Sequence, residues 1–188
     1  MLTNVLILAG AGVGGGSLVY ANTLYQPGDE YFSDPQWSAI TDWKEELEPH
    51  FDQARRMLGV RENTYFSPSD QAMKDVAEAM GVGHTFKLAP LGIHFGNKAG
   101  ENVSDPFFGG VGPDRNGCMQ CGGCMTGCRH NAKNTLPKNY LGLAERAGAH
   151  VYPMTTVTEL LQADDGHGRI PAERPGGWES RPRTFTAP

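Results

Sequence analysis

The chain has 188 residues, with 16 Lys and Arg against 21 Asp and Glu for a formal net charge of −5. It holds no basic tract of five or more residues, so nucleic acid is not an expected partner. The length suffices for one domain with its own core, and 25 glycines and 13 prolines, about a fifth of the chain, predict many turns and few long helices. The most apolar stretch, Val5 to Tyr20, is short, carries five glycines and lacks a basic flank. Neither a transmembrane helix nor a signal peptide is therefore expected, and the expected location is cytoplasmic.

In chain order, Val5-Leu6-Ile7-Leu8-Ala9 predicts a short buried strand ended by glycines. Residues 10–16 predict a loop, and Ser17 to Tyr25 a helix that starts on it and is broken by Pro27-Gly28. Two helices are expected next, with start signals at Asp34-Pro35 and Thr41-Asp42. Phe51, Ala54, Met57 and Leu58 have helical spacing, and Gly59 supplies the stop. Ser67-Pro68-Ser69-Asp70 opens a helix with the apolar stripe Met73, Val76, Ala77 and Met80, ended by Gly81. Phe86 to Phe95 reads as a strand weakened by Pro90 and Gly92, and 96–117 as loop. Thr135 can cap a helix from Leu136 to Ala147 that Gly148 ends, with a strand at 149–152 behind it. Three strands, near 156–162, 168–173 and 182–187, complete the expected pattern as a β-meander.

Two stretches carry chemistry. Gly10-Ala11-Gly12-Val13-Gly14-Gly15 satisfies G-x-G-x-x-G after a predicted strand, a loop whose backbone can approach a pyrophosphate at a helix N-terminus. A dinucleotide fingerprint also needs a second strand ended by an acid for the ribose. Asp29 and Glu30 lie at the right distance but follow the turn Gln26-Pro27-Gly28, with no strand before them. A plain glycine turn before a buried helix remains an alternative.

The second stretch holds every cysteine. Cys118, Cys121, Cys124 and Cys128 follow C-x2-C-x2-C-x3-C, the spacing of the bacterial iron–sulfur run. Arg129 stands where that run has proline, and no second run exists to share the fourth cysteine. A structural zinc is the second reading, although in zinc sites a longer spacer usually separates the C-x-x-C units. Arg129, His130 and Lys133 follow, either to offset an anionic site or as a solvated basic approach to a helix. Met119 and Met125 read as packing around the loop, and the six histidines as surface or loop residues.

Gly12 to Leu24 resembles the second flavin-contacting loop of the glucose–methanol–choline (GMC) oxidoreductase family, in its cholesterol-oxidase-like branch. Asp34-Pro35-Gln36-Trp37, the helix end Gln53 to Val60, Gly117 to Leu136, Lys138-Asn139-Tyr140-Leu141, Glu173 to Trp178 and Arg183 to Ala187 resemble the same branch in the same order. The resemblance covers nearly the whole chain. It implies a mixed α/β (α+β) fold: an incomplete FAD-binding domain of GMC type with a portion of the substrate domain and the C-terminal β-meander. The flavin-contacting loop and helices would occupy 1–60, a partial substrate-domain insert 61–115, and the cysteine loop, helix and meander 116–188.

The cofactor implied is FAD, with Gly12, Gly14, Gly15, Gly16 and Ser17 near its diphosphate and Tyr20, Ala21, Asn22 and Thr23 lining the flavin. Many members carry Asn at the position of Tyr20, so only backbone contacts transfer there. The implied activity is oxidation of the CH–OH group of a lipophilic alcohol, a hydroxysteroid or similar, with the electron acceptor unspecified. The family's ADP-binding unit and C-terminal catalytic base match nothing in this chain, so no catalytic residue is assigned. The expectation is an internal fragment that binds FAD weakly or not at all alone, turns over no alcohol and folds marginally. The family's familiar oxidases need only FAD, which makes free thiols a third reading of the cysteines. The rival to a flavoenzyme is an iron–sulfur electron-transfer protein or subunit using the cysteine run.

Overall fold

The computed structural model describes residues 4–157 and, beyond them, the backbone of 161–162, 168–169 and 172–173. It forms two compact units, Met1–Ala147 and Gly148–Pro188. The division falls inside the third of the segments expected from the sequence. The architecture is mixed, with helices and two-stranded antiparallel sheets. Among the described residues no helix is long and apolar enough to cross a membrane.

In the first unit, residues 5–9 are not a strand: Val5, Leu6, Ile7 and Leu8 are 57–96% exposed, and no described segment pairs with them. An apolar run becomes a strand only where a partner takes its backbone groups. The helix expected from Ser17 is a single 3-10 turn, Gly15–Leu18. It stops because the Leu18 carbonyl accepts from Lys133 Nζ at 3.0 Å and Asn22 turns left-handed at φ 67°.

Helix α1, Asp29–Phe32, is one turn just after the break at Pro27-Gly28. Helix α2, Trp43–Met57, replaces the two expected helices. The Asp42 side chain caps it by accepting from the amides of Lys44 and Glu45, and Asp34 instead folds a turn by accepting from Gln36 N. Gly59, at φ 57°, ends α2 as expected. Strand β1, Arg61–Glu62, follows.

Helix α3, Pro68–Ala79, starts on a capping box in which Ser67 Oγ and the Asp70 carboxylate take each other's backbone amides. Its stripe is open to solvent, with Met73, Val76 and Met80 54–71% exposed. Of the strand expected at 86–95, only β2, Pro90–Leu91, pairs regularly, with β1. The loop expected at 96–117 contains β3, Asn102–Val103, paired with β4, Arg115–Asn116. A 3-10 turn, Leu136–Lys138, precedes helix α4, Tyr140–Arg146, so the expected helix is split at Asn139.

The frame of this unit is an irregular ladder of three segments distant in sequence. Gly92 N donates to Asn22 O and Leu24 N to Pro90 O; on the other side His94 N donates to Ala132 O and Asn134 N to Gly92 O, all at 2.8–3.0 Å. Its centre is polar. Phe32, Ile93 and Ala132 are the buried apolar residues, against buried Asn22, Arg115, Lys133, Asn134 and Asn139.

In the second unit, 149–152 form no strand. Strand β5, Thr156–Val157, pairs with β8, Ala172–Glu173, and β6, Leu161–Gln162, pairs with β7, Gly168–Arg169, both antiparallel. The nested pairing matches the first two expected meander strands. The third, at 182–187, lies outside the described residues.

Candidate functional site

The glycine loop owes its shape to positive φ at three positions, Gly12 (148°), Gly14 (106°) and Gly15 (50°), values that side chains other than glycine's rarely allow. Gly14 is buried, and a Cβ there would stand 2.8 Å from Pro137 Cδ. Ser17 ties the loop to a segment more than a hundred residues away: its Oγ donates to Gly14 O at 2.6 Å and accepts from Leu136 N at 3.0 Å. At Gly15 and Gly16 the space that a side chain would fill is open. The amides of Val13 and Gly14 have no hydrogen-bond acceptor among the described residues. Two loop amides, at exposed Val13 and buried Gly14, thus lack a partner among the described residues beside the open space at Gly15 and Gly16, in a glycine turn of the kind that can take a diphosphate.

Tyr20 follows in the chain. Its hydroxyl donates to Asn134 O at 2.6 Å, and Lys133 Nζ lies 4.6 Å from its ring centroid. Burial pushes its pKa up to about 12, against the opposing charge of Arg115. Asn22 is buried with Oδ1 lacking a partner, an orphaned acceptor within the segment expected to line a flavin. Ala21 and Thr23 are exposed, with Thr23 bridged to Leu91. Of the nine residues of 12–23 singled out in the sequence, Gly14 and Asn22 are buried and the other seven are half-buried or exposed; Ser17 and Tyr20 tie the segment to Leu136 and Asn134.

The 133–138 segment carries cations. Lys133 is 1% exposed and donates Nζ to Leu18 O and to Cys124 O at 2.9 Å. Burial holds its pKa below the usual lysine range, while Cys124 and Cys128 oppose that. Arg115, also 1% exposed, donates to Asn131 O at 3.1 Å, to Ala132 O at 2.7 Å and to Asn134 Oδ1. Its guanidinium lies over the Phe107 ring, and burial lowers its pKa to about 10. Lys138 bonds Asn131 Oδ1, and burial, helped by Arg115, lowers its pKa to about 8. Among the described residues all four ion pairs are elsewhere, on the surface around α1, α2 and α3.

The four cysteines are free thiols, Cys121 exposed and the other three half-buried. They line one cavity of about 220 Å³, with Ile93 and Phe95 on its wall. Cys118 Sγ accepts from Gln120 N and Cys128 Sγ from Ala132 N, both at 3.3 Å. Burial pushes the Cys118 thiol up. Burial acts the same way on Cys128, but the amides of Lys133, Ala132 and His130 and the charge of Lys138 outweigh it and bring its pKa down. Among the described residues no three His, Cys, Asp or Glu side chains are drawn together as a metal-holding group. The thiols share a cavity wall without converging.

Sequence reasoning had Lys133 as a neighbour of the cysteines but missed Arg115, Asn134, Asn139 and Lys138 as the buried frame. Arg115 lies in a stretch of Gly, Pro and Asp that reads as loop, and nothing local marks it as buried. His94, expected as a surface or loop residue, lies in irregular chain with a buried Nε2 without a partner; burial and the charge of Arg115 lower its pKa.

No family model matches the chain. It is 58% identical over 191 residues to a protein named cholesterol oxidase from Mycobacterium tuberculosis (strain CDC 1551 / Oshkosh), covering 99% of this chain and 33% of that protein. The corresponding protein of strain H37Rv gives the same figures. A protein named cholesterol oxidase from Acinetobacter baumannii is 49% identical over 160 residues, 84% of this chain and 29% of its own length. The chain spans about a third of the length of the curated relatives it matches.

Proposed function

We propose that this chain supplies the flavin-contacting loop and its supporting frame in an FAD-dependent oxidoreductase of the GMC family that acts on the CH–OH group of a lipophilic alcohol, a hydroxysteroid. The observation that carries this is the bridge from Ser17 Oγ to Gly14 O and Leu136 N, which holds residues 12–17 against the 133–137 segment while leaving the Val13 and Gly14 amides free. The relatives' name supports the substrate class.

The residues fit the cofactor. Open space over Gly15 and Gly16, free loop amides and the orphaned Asn22 Oδ1 match the backbone-rich contacts that a flavin dinucleotide takes. Bound FAD would supply a hydride acceptor for the carbinol carbon. The chain's own role is positional. The loop amides would orient the anionic diphosphate, while Ser17 fixes the loop and Tyr20 with Asn134 fixes the backbone at 20–23. Lys133, bonded to Leu18 O at the end of the loop's 3-10 turn, sets positive charge beside it, where an anion is favoured. The relatives' names lend nothing to a stand-alone iron–sulfur electron carrier.

The test is a chimera in which this chain replaces the matching third of the M. tuberculosis relative. Steroid-dependent dye reduction at a rate within about tenfold of the parent supports the reading. A folded chimera that reduces no dye while the parent does would sink it.

A further inference from the structure

Residues 91–95 alternate across the ladder. A Cβ at Gly92 would stand 2.7 Å from the Tyr20 hydroxyl, and the His94 ring meets Phe107 edge-on. Leu91, Ile93 and Phe95 face the other way, as the period of an extended chain requires, and all three line the cavity of about 220 Å³ that the thiols share. Met119 adds a fourth apolar side chain, and free thiols pack as small apolar groups. Asn63, Gln120 and His130 supply polar lining. Among the described residues none that lines the cavity carries a carboxylate, and the one amine, Lys133 Nζ, is already bonded to Leu18 O and Cys124 O. The centre of the unit is otherwise polar, so apolar side chains gathered around open space are not the remainder of a packed core. Two residues of the wall also touch the segment proposed to line the flavin: Leu91 is bridged to Thr23, and Lys133 Nζ lies 4.6 Å from the Tyr20 ring centroid.

We propose that this cavity receives the apolar ring end of the hydroxysteroid; the identity of the ligand rests on the flavoenzyme function proposed above. Rings that enter it leave water for a wall of Leu, Ile, Phe, Met and thiol, a transfer that needs no polar partner. Volume limits the fit. Sites that enclose a drug-sized ligand run to roughly 300–1,000 Å³. A cavity of about 220 Å³ therefore takes one end of a steroid and leaves the other outside. The CH–OH carbon has to meet the cofactor, so the end that enters is the opposite, apolar one. The thiols serve here as wall, and binding changes no bond or oxidation state.

The test is a thiol footprint on the whole 188-residue chain without flavin, by a maleimide pulse with cholesterol carried on cyclodextrin and with cyclodextrin alone. The half-buried Cys118, Cys124 and Cys128 should label at least about tenfold more slowly with the sterol, and exposed Cys121 should change least. Met119→Glu sets a charge on the apolar wall at a position 45% exposed, where the fold tolerates it. It should abolish the protection at unchanged circular dichroism, and Met119→Leu should keep it. Unchanged labelling of all three thiols in the folded chain would overturn the proposal, and so would a Met119→Glu variant protected like the parent. In the M. tuberculosis chimera Met119→Glu should raise the steroid KM about tenfold with kcat little changed. An active chimera whose KM ignores the substitution would keep the flavoenzyme reading and overturn the cavity. A sterol footprint beside a folded chimera that reduces no dye would support the cavity and sink the flavoenzyme reading.

Discussion

Lys138 and Tyr20 face the same frame with opposite consequences for pH. The folded pKa of Lys138, about 8, is below the ordinary 10.5, so between these values the unfolded chain holds more protons and stability rises with pH. The folded pKa of Tyr20, about 12, is above the ordinary 10.0, so above pH 10 the unfolded chain loses its proton first and stability falls. The Cys118 and Cys128 shifts have opposite signs. We predict a urea midpoint that climbs from about pH 8 to 10; above pH 10 the fall due to Tyr20 is opposed by Arg115, whose folded pKa of about 10 lies below its ordinary 12.5. Lys138→Met should flatten the climb. Tyr20→Phe should make the midpoint rise more steeply above pH 10 and cost about 1 kcal/mol at neutral pH through the lost bond to Asn134 O. A Lys138→Met variant with an unchanged climb would assign it to other groups.

At the scale of elements, what the sequence shows is local. The Ser67–Asp70 box with Pro68, the stop at Gly59 and the cap at Asp42 each lie within one turn of the helix they define, and all three form. Elements that depend on distant partners are the ones misread. The run Val5–Leu8 has a strand's composition but no described neighbour. The helix expected after Ser17 yields to Lys133, 115 positions from Leu18, whose carbonyl it takes. Helix α3 has a helix's stripe but buries none of its residues. Its stability must then come mainly from its ends. Ser67→Ala should cost about 1 kcal/mol, seen as reduced helical circular dichroism and faster amide exchange confined to 68–79. Equal loss of protection in the 132–134 ladder would show that α3 is coupled to the frame after all.

For the molecule as a whole, the candidate site was half visible. The glycine loop and the cysteine run are contiguous and announce their chemistry by residue type and spacing. The frame that joins them is not contiguous. Asn22, Arg115, Lys133, Asn134 and Asn139 come from three regions, and only the fold shows that these polar side chains, with few apolar ones, make its centre. A core of buried amides and cations is held by specific hydrogen bonds and tolerates substitution poorly. Such a core suits a support that keeps one loop in one conformation.

The role proposed for that loop is a flavin cradle, and flavin content measures this claim most directly. In the M. tuberculosis chimera, Gly16→Asp and Gly16→Ala both fit the fold, because the space at Gly16 is open, but only the first sets a negative charge beside the free amides. We predict that the parent chimera and Gly16→Ala purify with about one flavin per chain, and that Gly16→Asp retains at least about tenfold less at equal folding, through repulsion of the diphosphate. Equal flavin in all three, or none in the folded parent chimera, would contradict the cradle.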